Sequence, residues 1–91
     1  MVTDMEELTS NLQFVAYPNP VENQVIITSE AALDGVVNCS VFDLSGKLVV
    51  QQNLMFSGNQ VAIDLSTLAQ GAYQIVILND LNIGTLRVIK N

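Results

Sequence analysis

An all-β chain of about seven short strands is what this sequence predicts, and three observations predict it. Runs of alternating apolar and polar residues recur along the chain, each bounded by Gly, Pro, Asn, Asp or Ser. The apolar residues (49%) are mainly Val, Ile and Leu, with aromatics at only 5%, a mix that suits pleated, half-buried strands. No convincing long helix can be read from the apolar pattern. Seven short strands of this kind pack as two antiparallel sheets, so the predicted architecture is an immunoglobulin-like β-sandwich. The cysteine pair and buried tryptophan of true immunoglobulin domains are absent, since the chain has one Cys and no Trp.

At 91 residues the chain is read as one domain. A chain of this size buries roughly 60–65% of its extended-chain surface. Met1–Asn11 is acidic and weakly patterned and reads as a linker or an added N-terminal segment, leaving residues 12–91 as the sandwich. Strand signal starts at Leu12 and runs to Tyr17. Pro18-Asn19-Pro20 then removes two backbone donors and biases Asn19 away from helix, so a rigid bend is expected to deliver the chain to a second strand.

That second strand is Asn23–Thr28, with Val25 and Ile27 on one face, followed by a loop over Ser29–Gly35. The third strand, Val36–Phe42, puts Val37, Cys39 and Val41 on the core face and leaves Asn38 and Ser40 on the wet face. Asp43-Leu44-Ser45-Gly46 is a hairpin turn, because Asp accepts from the amides that follow it and Gly tolerates positive φ. Lys47–Asn53 is the return strand, Met55–Gly58 the next loop, and Asn59–Asp64 the fifth strand with Val61 and Ile63 inward.

The stretch Ile63–Leu78 anchors the reading. Ser66 is expected to cap a short helical turn at Thr67–Ala69, and Gly71 to restart the chain as a strand from a backbone position that a side chain tolerates poorly. Tyr73, Ile75 and Ile77 then face the core. Gln74, Val76 and Leu78 point the other way and are apolar enough to mark a central strand. Asn79–Asn82 turns the chain into a last strand, Ile83–Lys90.

The chemistry of catalysis is missing. There is no His, and Cys39 has no sequence partner to activate it, so it is expected to be a buried, inert thiol. Asp43 with Ser45, or Asp64 with Ser66, supplies too few oxygen donors for calcium and reads as turn capping, and one Cys without His holds no zinc. No cofactor, metal or phosphate cradle is expected. Nine acidic against three basic residues give a net charge of −6, which repels nucleic acid and anionic lipid. Asn38-Cys39-Ser40 matches a glycosylation pattern but falls within a strand. Tyr17 and Tyr73 could stack on a sugar, but a tyrosine tucked into a sandwich corner is the simpler reading. The chain is not read as an enzyme.

The landmarks, taken in order, carry a resemblance. They are Tyr17-Pro18-Asn19-Pro20, the strand at Val25-Ile26-Ile27, Val41–Val49 with its Asp43-Leu44-Ser45-Gly46-Lys47 turn, Ile63–Ser66, then Leu68, Gly71 and Tyr73, and a terminal Arg87-Val88-Ile89-Lys90. Over Phe14–Asn91 this resembles the type A C-terminal sorting domain of the type IX (Por) secretion system of Bacteroidota. Each piece is weak alone, whereas their order and spacing are specific. Asn91 following Lys90 is a mild departure.

The resemblance implies a non-catalytic module at the end of a larger secreted cargo. It implies transit through the periplasm after a Sec signal, then export across the outer membrane to the cell surface or the medium. The implied partners are the translocon, an outer-membrane shuttle protein and a sortase. The sortase would cut before the sandwich, near Met1–Asn11, and join the cargo to lipopolysaccharide. Carried over by position, Pro18, Asn19 and Pro20 form the first family motif, Asp43, Gly46 and Lys47 the central turn, Gly71 and Tyr73 the third, and Arg87, Val88, Ile89 and Lys90 the terminal signal. The first three read physically as fold-makers. The terminal strand reads equally as a docking edge for a translocon or shuttle strand, with Arg87 and Lys90 setting register, or as an edge whose charges block aggregation. The alternative function is a generic surface sandwich serving carbohydrate binding, adhesion or spacing, which the poverty of exposed aromatics disfavours for sugars.

Overall fold

A computed structural model describes residues 13–30, 35–79 and 82–91. The expected linker at 1–11, the strand start at Leu12, most of the loop at 31–34 and the turn centre at 80–81 lie outside the described residues. Among the described residues there are seven strands: β1 (Phe14–Tyr17), β2 (Gln24–Ser29), β3 (Val36–Asp43), β4 (Leu48–Met55), β5 (Gln60–Asp64), β6 (Gly71–Asn79) and β7 (Asn82–Lys90). They form a three-stranded sheet ordered β1-β2-β5 and a four-stranded sheet ordered β4-β3-β6-β7, with all ladder pairs antiparallel. The fold is the expected immunoglobulin-like sandwich, and no helix occurs among the described residues.

Period-2 alternation decides which side chains meet between the sheets. Val25, Ile27 and Ile63 from one sheet face Val37, Cys39, Val41, Ile75, Ile77 and Val88 from the other, each at most 1% exposed. β6 lies between β3 and β7, the central place that its two apolar faces predicted. Val21, Phe56 and Leu65 are buried as well. These three sit in connections rather than in strands, so alternation gave no signal for them. Phe56 closes one side against Phe14, with ring centroids 6.1 Å apart.

Two local expectations are corrected. Ser40 is on the outer face of its sheet yet only 8% exposed. It is flanked by Gln51 on β4 and Val76 on β6, and its hydroxyl donates to Asn38 Oδ1 at 3.2 Å. A central strand covers even its outward serine.

The turn after β5 is not a helical turn capped by Ser66. Leu68 N–H donates to the Leu65 carbonyl at 3.0 Å in a single β-turn, and the cap is Asp64, whose Oδ1 accepts from Ser66 N–H at 2.9 Å. An ionised carboxylate two residues ahead outcompetes a hydroxyl as acceptor. The proline bend leads from β1 to β2 as expected, by a longer route. It crosses first to the other sheet, where Val21 forms a parallel bridge with Lys90.

Candidate functional site at one pole of the sandwich

Strand direction gathers three connections and one strand end at one pole of the molecule. They are the Pro18–Asn23 crossing, the β3–β4 turn, the β5–β6 loop and the last residues of β7. Every motif residue from Pro18 to Lys90 lies there, although the first and last are 72 residues apart. Asp43 pairs with Tyr73, which pairs with Val88, and Gly71 pairs with Lys90, which bridges Val21.

The β3–β4 turn is organised by one oxygen. Asp43 Oδ1 accepts from Ser45 N–H (2.9 Å), Ser45 Oγ (2.7 Å) and Lys47 N–H (3.0 Å). The turn closes with Gly46 N–H to the Asp43 carbonyl and Asp43 N–H to the Lys47 carbonyl, and Gly46 sits at φ +90°, where a side chain is strained. The Ser45 hydroxyl first, then the Lys47 amide, hold the Asp43 carboxyl below its ordinary value. Ser66 does the same for Asp64. Both carboxylates are spent as turn acceptors, as expected.

Tyr73, the third residue of β6, is 7% exposed and donates from its hydroxyl to the Ala69 carbonyl at 2.7 Å. This ring locks the β5–β6 corner to the core, the arrangement known as a tyrosine corner in sandwich folds. Tyr17 instead lies on the outer face of β1, 47% exposed, so the two tyrosines share no stacking surface. Gly71 starts β6 at φ +152°, in the range that disfavours side chains. Cys39 lies deep in the core, where burial raises its thiol to about 11 and leaves it inert at neutral pH.

The first motif and the last are stitched together. Val21 N–H donates to the Ile89 carbonyl at 2.6 Å, Asn91 N–H to the Val21 carbonyl at 2.8 Å, and Ile89 N–H to Asn19 Oδ1 at 2.9 Å. Asn19 and Val21 thus form a strap along the outer edge of β7. Sequence reading treated Pro18-Asn19-Pro20 as a bend alone. Its second task, satisfying the edge of a strand seventy residues away, had no local signal beyond an Asn between two prolines.

The terminal residues consequently differ from one another. Arg87 and Ile89 point outward and are exposed, Ile89 by 43%. Val88 is fully buried, and Lys90 is 7% exposed on the inner face with Nζ 3.1 Å from the Asn91 carbonyl. The reading in which Arg87 and Lys90 act together as exposed register charges on an open edge does not fit this placement. Lys90 faces inward, and the edge at Ile89–Asn91 is occupied.

Beside the strap is a shallow hollow of about 280 Å³ lined by Asp43, Leu44, Ser45, Gln70, Gly71, Ala72 and Tyr73. Among the described residues no cluster of His, Cys, Asp and Glu is placed to hold a metal ion. The backbone edge of the pole is occupied by the strap, which leaves its outward side chains for contact. A family model described as the secretion system C-terminal sorting domain matches residues 15–91. No curated protein matches the chain.

Proposed function

The chain belongs to the family of secretion system C-terminal sorting domains, the sorting signals of type IX secretion, and we propose that its one-pole assembly of motifs is the address that the export machinery reads. The observation that carries this reading is convergence. Residues named as separate motifs, from Pro18 to Lys90, meet at a single end of the sandwich.

In this reading residues 1–11 are the linker to an upstream cargo and 12–91 the sorting sandwich. The precursor passes through the periplasm, a shuttle protein and the translocon take the pole as their docking point, and a sortase severs the chain ahead of β1 to leave the cargo on the surface. The domain itself performs no catalysis. Its two structured turn carboxylates, Asp43 and Asp64, are engaged by their own turns, and the chain holds no His. Arg87 and Ile89 are the terminal residues placed to touch a partner, while Val88 and Lys90 act by holding the strand in the fold.

The test is a localisation assay. A fluorescent reporter with a Sec signal, fused ahead of the 91-residue chain, is produced in a bacterium that has type IX machinery, and the cells are fractionated. Reporter on the surface or in the medium, lost when the translocon is disabled, is the expected result. Reporter held in the periplasm would refute the sorting role.

A further inference from the structure

The four-stranded sheet has two edges, and the fold treats them differently. The β7 edge is closed at Ile89–Asn91 by the strap. The opposite edge, β4, pairs with β3 on one side, and among the described residues nothing pairs with its other side. Open edges are ordinarily blunted by charge, by proline or by a bulge. Leu48–Met55 holds no charged residue and no proline, and its bulge, at Val49, lies near one end. Val50–Met55 is left as a regular, unguarded edge.

Alternation fixes which backbone groups this edge offers. Asp43 N–H donates to the Lys47 carbonyl, so Asp43, Val41, Cys39 and Val37 turn their backbone groups toward β4. Val50, Gln52 and Leu54 face them across the ladder, and Gln51 and Asn53 turn theirs outward. The side chains around Gln52 repeat in mirror order. Gln51 and Asn53 on either side are exposed amides, and Val50 and Leu54 beyond them are apolar and packed on the margin of the core. Val49 and Met55 continue the symmetry. A two-fold axis through Gln52 sets amide against amide and Val50 against Leu54. An isologous interface requires such self-complementarity, whereas a different partner chain does not.

We infer that β4 pairs antiparallel, about Gln52, with β4 of a second copy of this chain, joining two four-stranded sheets into one. The inference goes beyond the sorting reading and does not depend on it. Gln51 and Asn53 of the second copy exchange both backbone hydrogen bonds, and so do Asn53 and Gln51 of the second copy. On the inner face Leu54 of each copy covers Val50 of the other, and the two Gln52 side chains meet at the axis. No charged side chain lies along the paired segment. The net charge of −6 opposes association at long range, and salt screens it over about 8 Å at physiological ionic strength. Each copy has one β4, which the pairing uses up, so assembly closes at two copies.

Sedimentation of the 91-residue chain tests this, from about 10 μM to about 1 mM, the range suited to an interface this small. The expected result is a monomer that becomes a dimer as concentration rises, more readily in added salt. Gln52→Lys places two cations at the axis and should weaken dimerisation about tenfold or more. Its side chain is exposed at the edge, so the melting temperature of the monomer should stay that of the parent. Gln52→Glu should be weakened in the same way. Mixing the two variants should restore a heterodimer, a rescue that misfolded chains could not give. A parent that stays monomeric across the whole range overturns the inference. So does a dimer that Gln52→Lys leaves intact, or a mixture of the two variants that stays monomeric.

Discussion

Asp43 shows how much one side chain can specify. Its Oδ1 takes three donors from its own turn, and those bonds exist in full only while the carboxylate is ionised. They hold its folded value below the ordinary one, with the Ser45 hydroxyl as the largest cause. The stability it supplies is therefore complete above the unfolded value of about 4 and drains away as pH falls through the lower folded value. Asp43→Ala should lower the melting temperature at pH 7 and flatten its decline as pH falls below about 4. Thermal melts across that range decide it, and an acid limb unchanged from the parent would show that the turn does not depend on the charge. This residue was fully legible, because an Asx-type turn is local chemistry. Ser66 was misread for the same kind of reason. Asp64 two residues earlier offered the stronger acceptor, and ranking the two required comparing acceptors rather than recognising a cap.

At the level of elements, the sequence showed which segments are strands to within about two residues at each boundary, since alternation is a property of neighbours. Inward faces followed from it for β2, β3, β5 and β6, whereas pairing register is set between strands and was not read. The Asn19–Val21 strap was invisible, because its partner β7 lies seventy residues away and prolines announce only a bend. The stitch makes a separate prediction. Asn19→Ala removes the acceptor of the Ile89 amide. Loss of one hydrogen bond worth about 1 kcal/mol should speed exchange of that amide roughly fivefold. Amide exchange followed by NMR should show this at Ile89, while Asn19→Asp, which keeps an oxygen in place, should restore protection. Equal exchange in the parent and Asn19→Ala would mean that the strap does not hold the edge.

For the whole molecule, the terminal strand is part of the fold as well as of the proposed signal, and this determines how its role can be tested. Removing residues 87–91 takes away Val88 from the core and the inward stem of Lys90, and it leaves the strap without its partner groups. The Val88 side chain alone contributes about 1.5–3 kcal/mol of burial, a large share of what a domain this small can spare. Such a deletion should unfold the sandwich, so lost export in that variant would follow from lost structure alone. Changing Arg87 and Lys90 together has the same defect in milder form, because Lys90 is an interior residue here. Arg87→Ala is the discriminating variant. Its side chain is exposed on the outer face opposite Gln74, so stability should stay within about 0.5 kcal/mol of the parent, as for other surface changes. On the proposed sorting role export should fall, because Arg87 is the exposed cation of the terminal strand. Denaturant titration and cell fractionation of the same variant measure the two quantities separately. A fully exported, fully stable Arg87→Ala would remove the terminal cation from the signal and leave the apolar members of the pole to carry recognition.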